Sequence, residues 1–299
     1  MKAALLPDRG VVKVAGPDAR KLLNGLVTAD MGKVTPAQPS FAALLTPQGK
    51  IIVDFIIADS DAPDGNDFFL DCPRALAGAL VERLGFYKLR AKVVVEDVSD
   101  VFIVTAIWDG AGREHWGLDY ADPRLPELGL RCISPPRPAD VAAALGAEWV
   151  DAAAYEAHRI ALGVPAGGLD FAYGDAFPHE ADMDQLNGVD FQKGCFIGQE
   201  VVSRMEHRGT ARSRVVPVAL GGAAPATGSA VTADGKQMGV MGSTAGRHGL
   251  ALLRLDRVDE ALAGGASLQA GGVALKLVKP AWARFAFPGD AAAGSEVAQ

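Results

Sequence analysis

Residues 41–59, FAALLTPQGKIIVDFIIAD, constrain the fold more than any other stretch of this chain. Two runs of β-branched and large apolar residues flank PQGK, in which Pro47 and Gly49 are turn formers. Four residues are too few for a parallel crossover, so the two runs must pair antiparallel as a hairpin. Helical patterns surround it. In GPDARKLLNGLVTAD (16–30), Pro17 suits a first helical position and Leu22, Leu23 and Leu26 fall on one face. PRALAGALVERLGFYKL (73–89), PADVAAALG (138–146) and DAAAYEAHRIALG (151–163) read as further helices, the last with Asp151 as N-cap and Gly163 as its stop. VVKV, DFFLDC, AKVVVEDV and VFIVTAIW read as strands. Hairpins mixed with helices predict α+β layers rather than a doubly wound parallel sheet. No G-x-G-x-x-G or Walker A sequence supports a dinucleotide or P-loop reading.

Periodicity disappears between Val164 and about Phe196, and a long irregular segment in a compact protein is often functional. After Arg212 the texture changes to short apolar runs, frequent glycines and DG turns, the pattern of a small antiparallel barrel or sandwich. The expected organisation is 1–210 as an α+β region of two packed sub-units, 211–286 as the barrel and 287–299 as a flexible tail. At 299 residues the chain is long enough for two or three such units. Its net charge of -7 argues against a dedicated nucleic-acid binder. No apolar run reaches the length of a membrane span, and MKAALLPDRGVVKV does not read as a secretory signal. Cys72, Cys132 and Cys195 are far apart, with no C-x-x-C and no Cys/His pair at zinc spacing. No resident metal is expected, and the setting is expected to be reducing and cytoplasmic.

The cysteine in DFQKGCFIGQEVVSRMEHRG (190–209) stands apart. GQEVVSRMEH is amphipathic, with Val201, Val202 and Met205 as its apolar stripe and Glu200 and Arg204 at i,i+4. Cys195 therefore lies at or just before a helix N-terminus, with Lys193 two residues away, and both features favour a thiolate. Gly194 and Gly198 allow close backbone approach or unusual dihedrals. Such a thiolate can be a nucleophile with His179 or His207 as base, a redox switch, or a ligand whose remaining partners come from other molecules. It can equally be a small residue filling a turn. Arg204, Arg208, Arg212 and Arg214, with His207, form a basic run suited to an anion, and Glu180, Asp182 and Asp184 concentrate acid upstream. Solvated surface accounts equally well for both runs.

KGCFIGQE resembles the K-G-C-[FY]-x-G-Q-E signature of the folate-binding YgfZ family, and the match continues through VVSRMEHRG. LLNGLVTAD, LLTPQGKIIVDF, FYKLRAKVVVEDVS, RIALGVPAGGLDF and FPHEADMD resemble the same family, so the likeness runs from about Leu22 to Arg214. The wider superfamily includes the aminomethyltransferase (T-protein) of the glycine cleavage system. The resemblance implies its fold, with two mixed α/β layers and a C-terminal barrel, and tetrahydrofolate or a derivative as ligand. It further implies a role in assembling or repairing iron–sulfur clusters in client enzymes, including enzymes that thiolate tRNA, without direct nucleic-acid binding. By the signature, Cys195 and Lys193 carry the chemistry, and Gly194, Gly198, Gln199 and Glu200 complete the motif. Segment similarity and residue chemistry nominate Tyr87, Arg90, Glu180 and Arg204 as folate contacts, Arg204 for a glutamyl tail and Glu180 for a pterin N–H edge. The alternative is a folate-dependent aminomethyltransferase or demethylase. That reading needs an aspartate near the folate, and neither Asp97 nor Asp109 sits in a clear motif. The likeness favours a maturation factor over a classical transferase.

Overall fold

The computed structural model describes residues 1–63, 65–110, 117–137, 143, 146–209 and 211–290. In chain order the strands are β1 (Lys2–Leu5), β2 (Arg9–Ala15), β3 (Ser40–Leu45), β4 (Ile51–Asp59), β5 (Asp67–Pro73), β6 (Val94–Asp97), β7 (Ile103–Trp108), β8 (Leu118–Ala121), β9 (Leu130–Ser134) and β10 (Glu148–Trp149). They are followed by β11 (Ser213–Leu220), β12 (Ala230–Ala233), β13 (Lys236–Ala245), β14 (His248–Arg254), β15 (Leu268–Ala270) and β16 (Val273–Leu277). The chain divides into two compact units: 1–155 with 186–201, and 156–185 with the chain from Val202 onward.

The first unit holds two five-stranded sheets. One runs β3-β4-β5-β2-β6 and is antiparallel throughout. The other runs β10-β1-β7-β9-β8 and is mixed, because β10 lies parallel to β1. The hairpin read from PQGK is β3–β4, with Gly49 at φ +81 and its amide donating to the Thr46 carbonyl. Helices Ala19–Leu26 and Ala77–Lys88 cover the antiparallel sheet, where Leu23, Leu26, Leu80 and Leu84 pack on Val12, Val14, Phe55, Phe68 and Leu70. The first helix starts two residues later than Pro17 predicts, with Asp18 as its N-cap. Cys72 and Cys132 are buried in β5 and β9, and burial pushes the Cys72 thiol up to about 12, as expected of small core residues.

In the second unit, β11-β14-β13-β12-β15-β16 close into an antiparallel barrel, with β11 pairing back onto β16. The DG turn between β12 and β13 has both Asp234 and Gly235 at positive φ, the geometry that suits the right-handed twist of a tight hairpin. Phe287 joins the barrel core. Helix Ala152–Leu162 is capped by Asp151, whose Oδ1 accepts the Ala154 amide at 2.9 Å, and stops at Gly163 with φ +77. The irregular segment after it is tied to β13. Arg159 donates to Asp170 at 2.8 Å and to Ser243 Oγ at 2.9 Å, and Asp170 accepts the Ser243 amide at 2.7 Å. A Cβ at Gly242 would lie 2.3 Å from Asp170 Oδ1, so that approach requires glycine. These bonds hold 156–185 in the same compact unit as the barrel. Most of the helix read from PADVAAALG, and the last nine residues, lie outside the described residues. Among the described residues, no helix is long and apolar enough to cross a membrane.

A buried ion network joins the two sheets of the first unit. Asp71 on β5 accepts Arg9 Nε from β2 at 2.6 Å, Tyr120 Oη from β8 at 3.0 Å and Arg131 Nη1 from β9 at 2.7 Å. Arg131 continues to Asp122 at 3.0 Å and to Tyr155 Oη at 3.2 Å, and Asp122 also takes Arg124 at 2.6 Å. Burial alone would raise both carboxyls. The guanidiniums outweigh it and hold Asp71 and Asp122 below the ordinary 3.8. Removing one partner leaves a buried charge uncompensated. Arg131→Met is therefore expected to cost about 3–5 kcal/mol in urea unfolding. The depressed carboxyls contribute stability that is complete above the unfolded value of 3.8 and is lost as pH falls through their folded values. Denaturation midpoints should fall steeply only below about pH 4.

Candidate functional site

Cys195 is the one exposed thiol of the three cysteines. Its loop is anchored on both sides. Lys193 is buried, and its Nζ donates to the carbonyls of Asn24 at 2.8 Å, Val27 at 2.7 Å and Ala29 at 2.7 Å. Burial pulls that ammonium down to about 8, against the opposing pull of Asp30 and Asp190. Phe196 is also buried, with its ring centroid 5.1 Å from Lys193 Nζ. Lys193 spends its donors on backbone carbonyls, and the helix begins at Gln199, four residues after Cys195.

The two motif glycines differ. Gly198 sits at φ +81, and a Cβ there would lie 2.6 Å from the Thr46 carbonyl oxygen and 3.0 Å from Gly49 Cα. The turn of the β3–β4 hairpin thus packs glycine to glycine against the start of helix Gln199–Arg208. Gly194 has no such constraint: a Cβ there meets nothing within 4 Å, and its φ is not positive. Gln199 and exposed Glu200 occupy the first turn of the helix, where an acidic side chain suits the dipole. Val202 is buried, as the apolar stripe predicts.

Upstream of Lys193 the segment is stitched to residues 24–43. Asp190 pairs with Lys33 and its amide donates to the Thr28 carbonyl at 2.9 Å. Thr28 Oγ1 donates to the Gly188 carbonyl at 2.6 Å and accepts the Ala43 amide at 2.8 Å. Between these segments lies a cavity of about 700 Å³, lined in part by Asp30, Lys33, Phe41, Asn187, Asp190 and Phe191. Sequence reasoning missed this wall. Thr28 and Gly188 are 160 residues apart, and no local pattern marks them as partners.

The nominated folate contacts lie elsewhere. In the first unit, Tyr87 is half-buried against the helix-covered core and Arg90 is exposed past the end of helix Ala77–Lys88. In the second, Glu180 Oε2 accepts the Phe177 amide at 2.9 Å and Arg204 is exposed on helix Gln199–Arg208. None of the four lines the cavity. The basic run splits too. His207, Arg208 and Arg212 are exposed, while buried Arg214 grips Asp184 at 2.9 and 2.8 Å and Asp182 at 3.0 Å. Burial holds the Asp182 carboxyl well above the ordinary range despite Arg214. His179, Asp184 and Glu206 bring potential ligand atoms within 4.8 Å of one another. His179 Nε2 already faces Glu206 at 3.0 Å and Arg214 pairs with Asp184, so contacts within the protein account for the cluster. Gly198→Ala should cost about 1–2 kcal/mol or more from the left-handed backbone alone, whereas Gly194→Ala should stay within about 0.5 kcal/mol in thermal unfolding.

Residues 212–285 match the family model described as the CAF17 C-terminal beta-barrel domain. The chain is 37% identical over 232 residues to the mitochondrial iron–sulfur cluster assembly factor IBA57 homolog of Mycosarcoma maydis, covering 73% of this chain and 57% of that protein's length. It is 34% identical to mouse mitochondrial IBA57 over 85% of this chain and 77% of the relative. It is 31% identical to the human protein over 93% and 84%. The glycine cleavage system aminomethyltransferase T of Bartonella henselae superposes with a TM-score of 0.72 at 16% identity, covering 96% of this chain and 87% of that one. That likeness shows the expected fold: an α+β body with a C-terminal barrel. The expected cytoplasmic setting is corrected, because these IBA57 relatives are mitochondrial proteins by name. The relatives carry the IBA57 name where the motif pointed to YgfZ, and the chain belongs to the IBA57 family of iron–sulfur cluster assembly factors.

Proposed function

We propose that this protein assists the assembly or repair of iron–sulfur clusters in client enzymes, among them enzymes that thiolate tRNA, and that Cys195 is the thiol that meets the cluster. The observation that carries the reading is the exposed thiol on a doubly anchored loop, with the other two cysteines buried in strands. One thiolate cannot complete a cluster's coordination, so the remaining ligands must come from the partner that brings or receives it. The cluster is cargo here, not a resident cofactor. The names of the IBA57 relatives support the same role.

A reduced folate is the proposed ligand of the cavity beside the loop, and the residues present fit it. A volume of about 700 Å³ suits a molecule of that size. Asp30, Lys33 and Asp190 offer charged groups, and Phe41 and Phe191 offer aromatic faces, to a bound ring and its carboxylates. The fold shared with a glycine cleavage aminomethyltransferase supports this assignment. In that reading Lys33 and Phe191 replace Tyr87, Arg90, Glu180 and Arg204 as the first contacts to test. The methyltransferase alternative gains nothing from the aspartates considered for it. Asp97 accepts the Ser99 amide at 3.0 Å, and Asp109 pairs with Lys2 at 3.4 Å on the surface.

Calorimetric titration with tetrahydrofolate tests the ligand. Wild type and Cys195→Ala should bind alike, and Lys33→Ala or Phe191→Ala should weaken binding about tenfold or more, ~1.4 kcal/mol per decade. Wild type that takes up no tetrahydrofolate defeats the folate assignment. Client-enzyme activity in cells lacking the native factor tests the thiol. Cys195→Ala should fold and bind folate yet restore no cluster-dependent activity, and full restoration by that variant defeats the role given to Cys195.

A further inference from the structure

The geometry around Lys193 points to a role different from reaction chemistry. A lysine ammonium has three N–H donors and no acceptor. All three are matched, at 2.8, 2.7 and 2.7 Å, by the carbonyls of Asn24, Val27 and Ala29. The Asn24 carbonyl is available because helix Ala19–Leu26 ends there, and Val27 and Ala29 follow it as the cap and the bend beyond. The Thr28 amide, which would close the next helical bond to Asn24, donates instead to the Ala43 carbonyl of β3. Helix ends leave unpaired carbonyls of partial negative charge, and a buried cation in contact with them is stabilised. The Phe196 ring closes another side of the ammonium at 5.1 Å.

We propose that Lys193 is a positioning residue: its ammonium occupies a three-carbonyl cradle at the end of helix Ala19–Leu26 and thereby sets the direction and exposure of the Cys195 thiol. The lysine works through the backbone of the loop. With all its donors committed inward, it gives no proton to the thiol and takes none from it. Cys195 is two residues beyond the cradle and one before buried Phe196, so little of its backbone is left free to turn. The proposal rests on the reading of Cys195 as the functional thiol. Its physical content, a cation cradle that fixes the loop, is measurable on the isolated protein.

The experiment removes the cation and then returns it. In Lys193→Ala, amide hydrogen exchange over residues 190–198 should accelerate about tenfold or more. Iodoacetamide should modify Cys195 at a changed rate, and the buried Cys72 and Cys132 keep that readout specific to one thiol. Propylammonium supplies the missing stem and its three donors. It should restore both readouts saturably, while tetramethylammonium, which has no N–H, should restore neither. Unchanged exchange and alkylation in Lys193→Ala, or changes that propylammonium does not reverse, overturn the proposal. If Lys193→Ala does not fold, Lys193→Met keeps the stem and loses only the donors, and wild-type protection in that variant overturns it equally. Wild type supplies an arm without substitution: 15N NMR should show a slowly exchanging Lys193 ammonium near neutral pH, and one in fast exchange overturns the cradle. None of these readouts involves folate, a cluster or a client, so they can fail while the function assigned to Cys195 stands, and the reverse.

Discussion

The first unit turns on one buried carboxylate. Asp71 lies in the middle of an apolar strand, DFFLDC, and is fully buried, yet it receives Arg9 from its own sheet and Tyr120 and Arg131 from the other. Two sheets with apolar faces can slide over one another at little cost. A buried ion network with directional partners has one low-energy register, because any other arrangement strands a charge away from water. The same network reaches the candidate site. Arg131 and Arg124 hold Asp122, and the next residue, Pro123, lines the cavity and accepts the Asn187 side-chain amide at 3.0 Å. A joint between sheets therefore also fixes one wall of the proposed binding pocket.

The opposite wall is built from residues 24–43, to which the irregular segment before Cys195 is stitched by Thr28, Lys33 and the carbonyl cradle. Below it, the hairpin turn at Gly49 receives Gly198. Those contacts account for an irregular loop that is held without regular secondary structure. They also separate two properties the motif runs together. Lys193 and Gly198 are explained by what they touch inside the protein. Gly194 and Cys195 are exposed to solvent.

Much of the fold was legible because its causes are local. PQGK between two apolar runs is a hairpin whatever surrounds it, Asp151 and Gly163 bracket a helix through backbone chemistry alone, and DG at 234–235 is a tight turn. The cysteine motif was legible as a motif, and the exposure of Cys195 fits its prominence. Tyr87, Arg90, Glu180 and Arg204 were nominated by segment similarity and residue chemistry, and neither says which side chains share a wall; none of the four lines the cavity beside the loop. Arg214 illustrates the limit: in sequence it extends a basic run, and in the structure two carboxyls thirty residues upstream enclose it.

By itself the sequence determined the antiparallel pairing of the first hairpin, a separate antiparallel β unit after residue 212 and the presence of one cysteine set among glycines. Each follows from spacing, turn chemistry or composition within a few residues. Only the tertiary structure decided where the Lys193 charge goes. A lysine two positions from a cysteine reads as the thiol's neighbour, but a buried ammonium must find acceptors wherever they are. The ones it finds are the unpaired carbonyls at the end of a helix about 165 residues earlier in the chain, a pairing that no local pattern encodes.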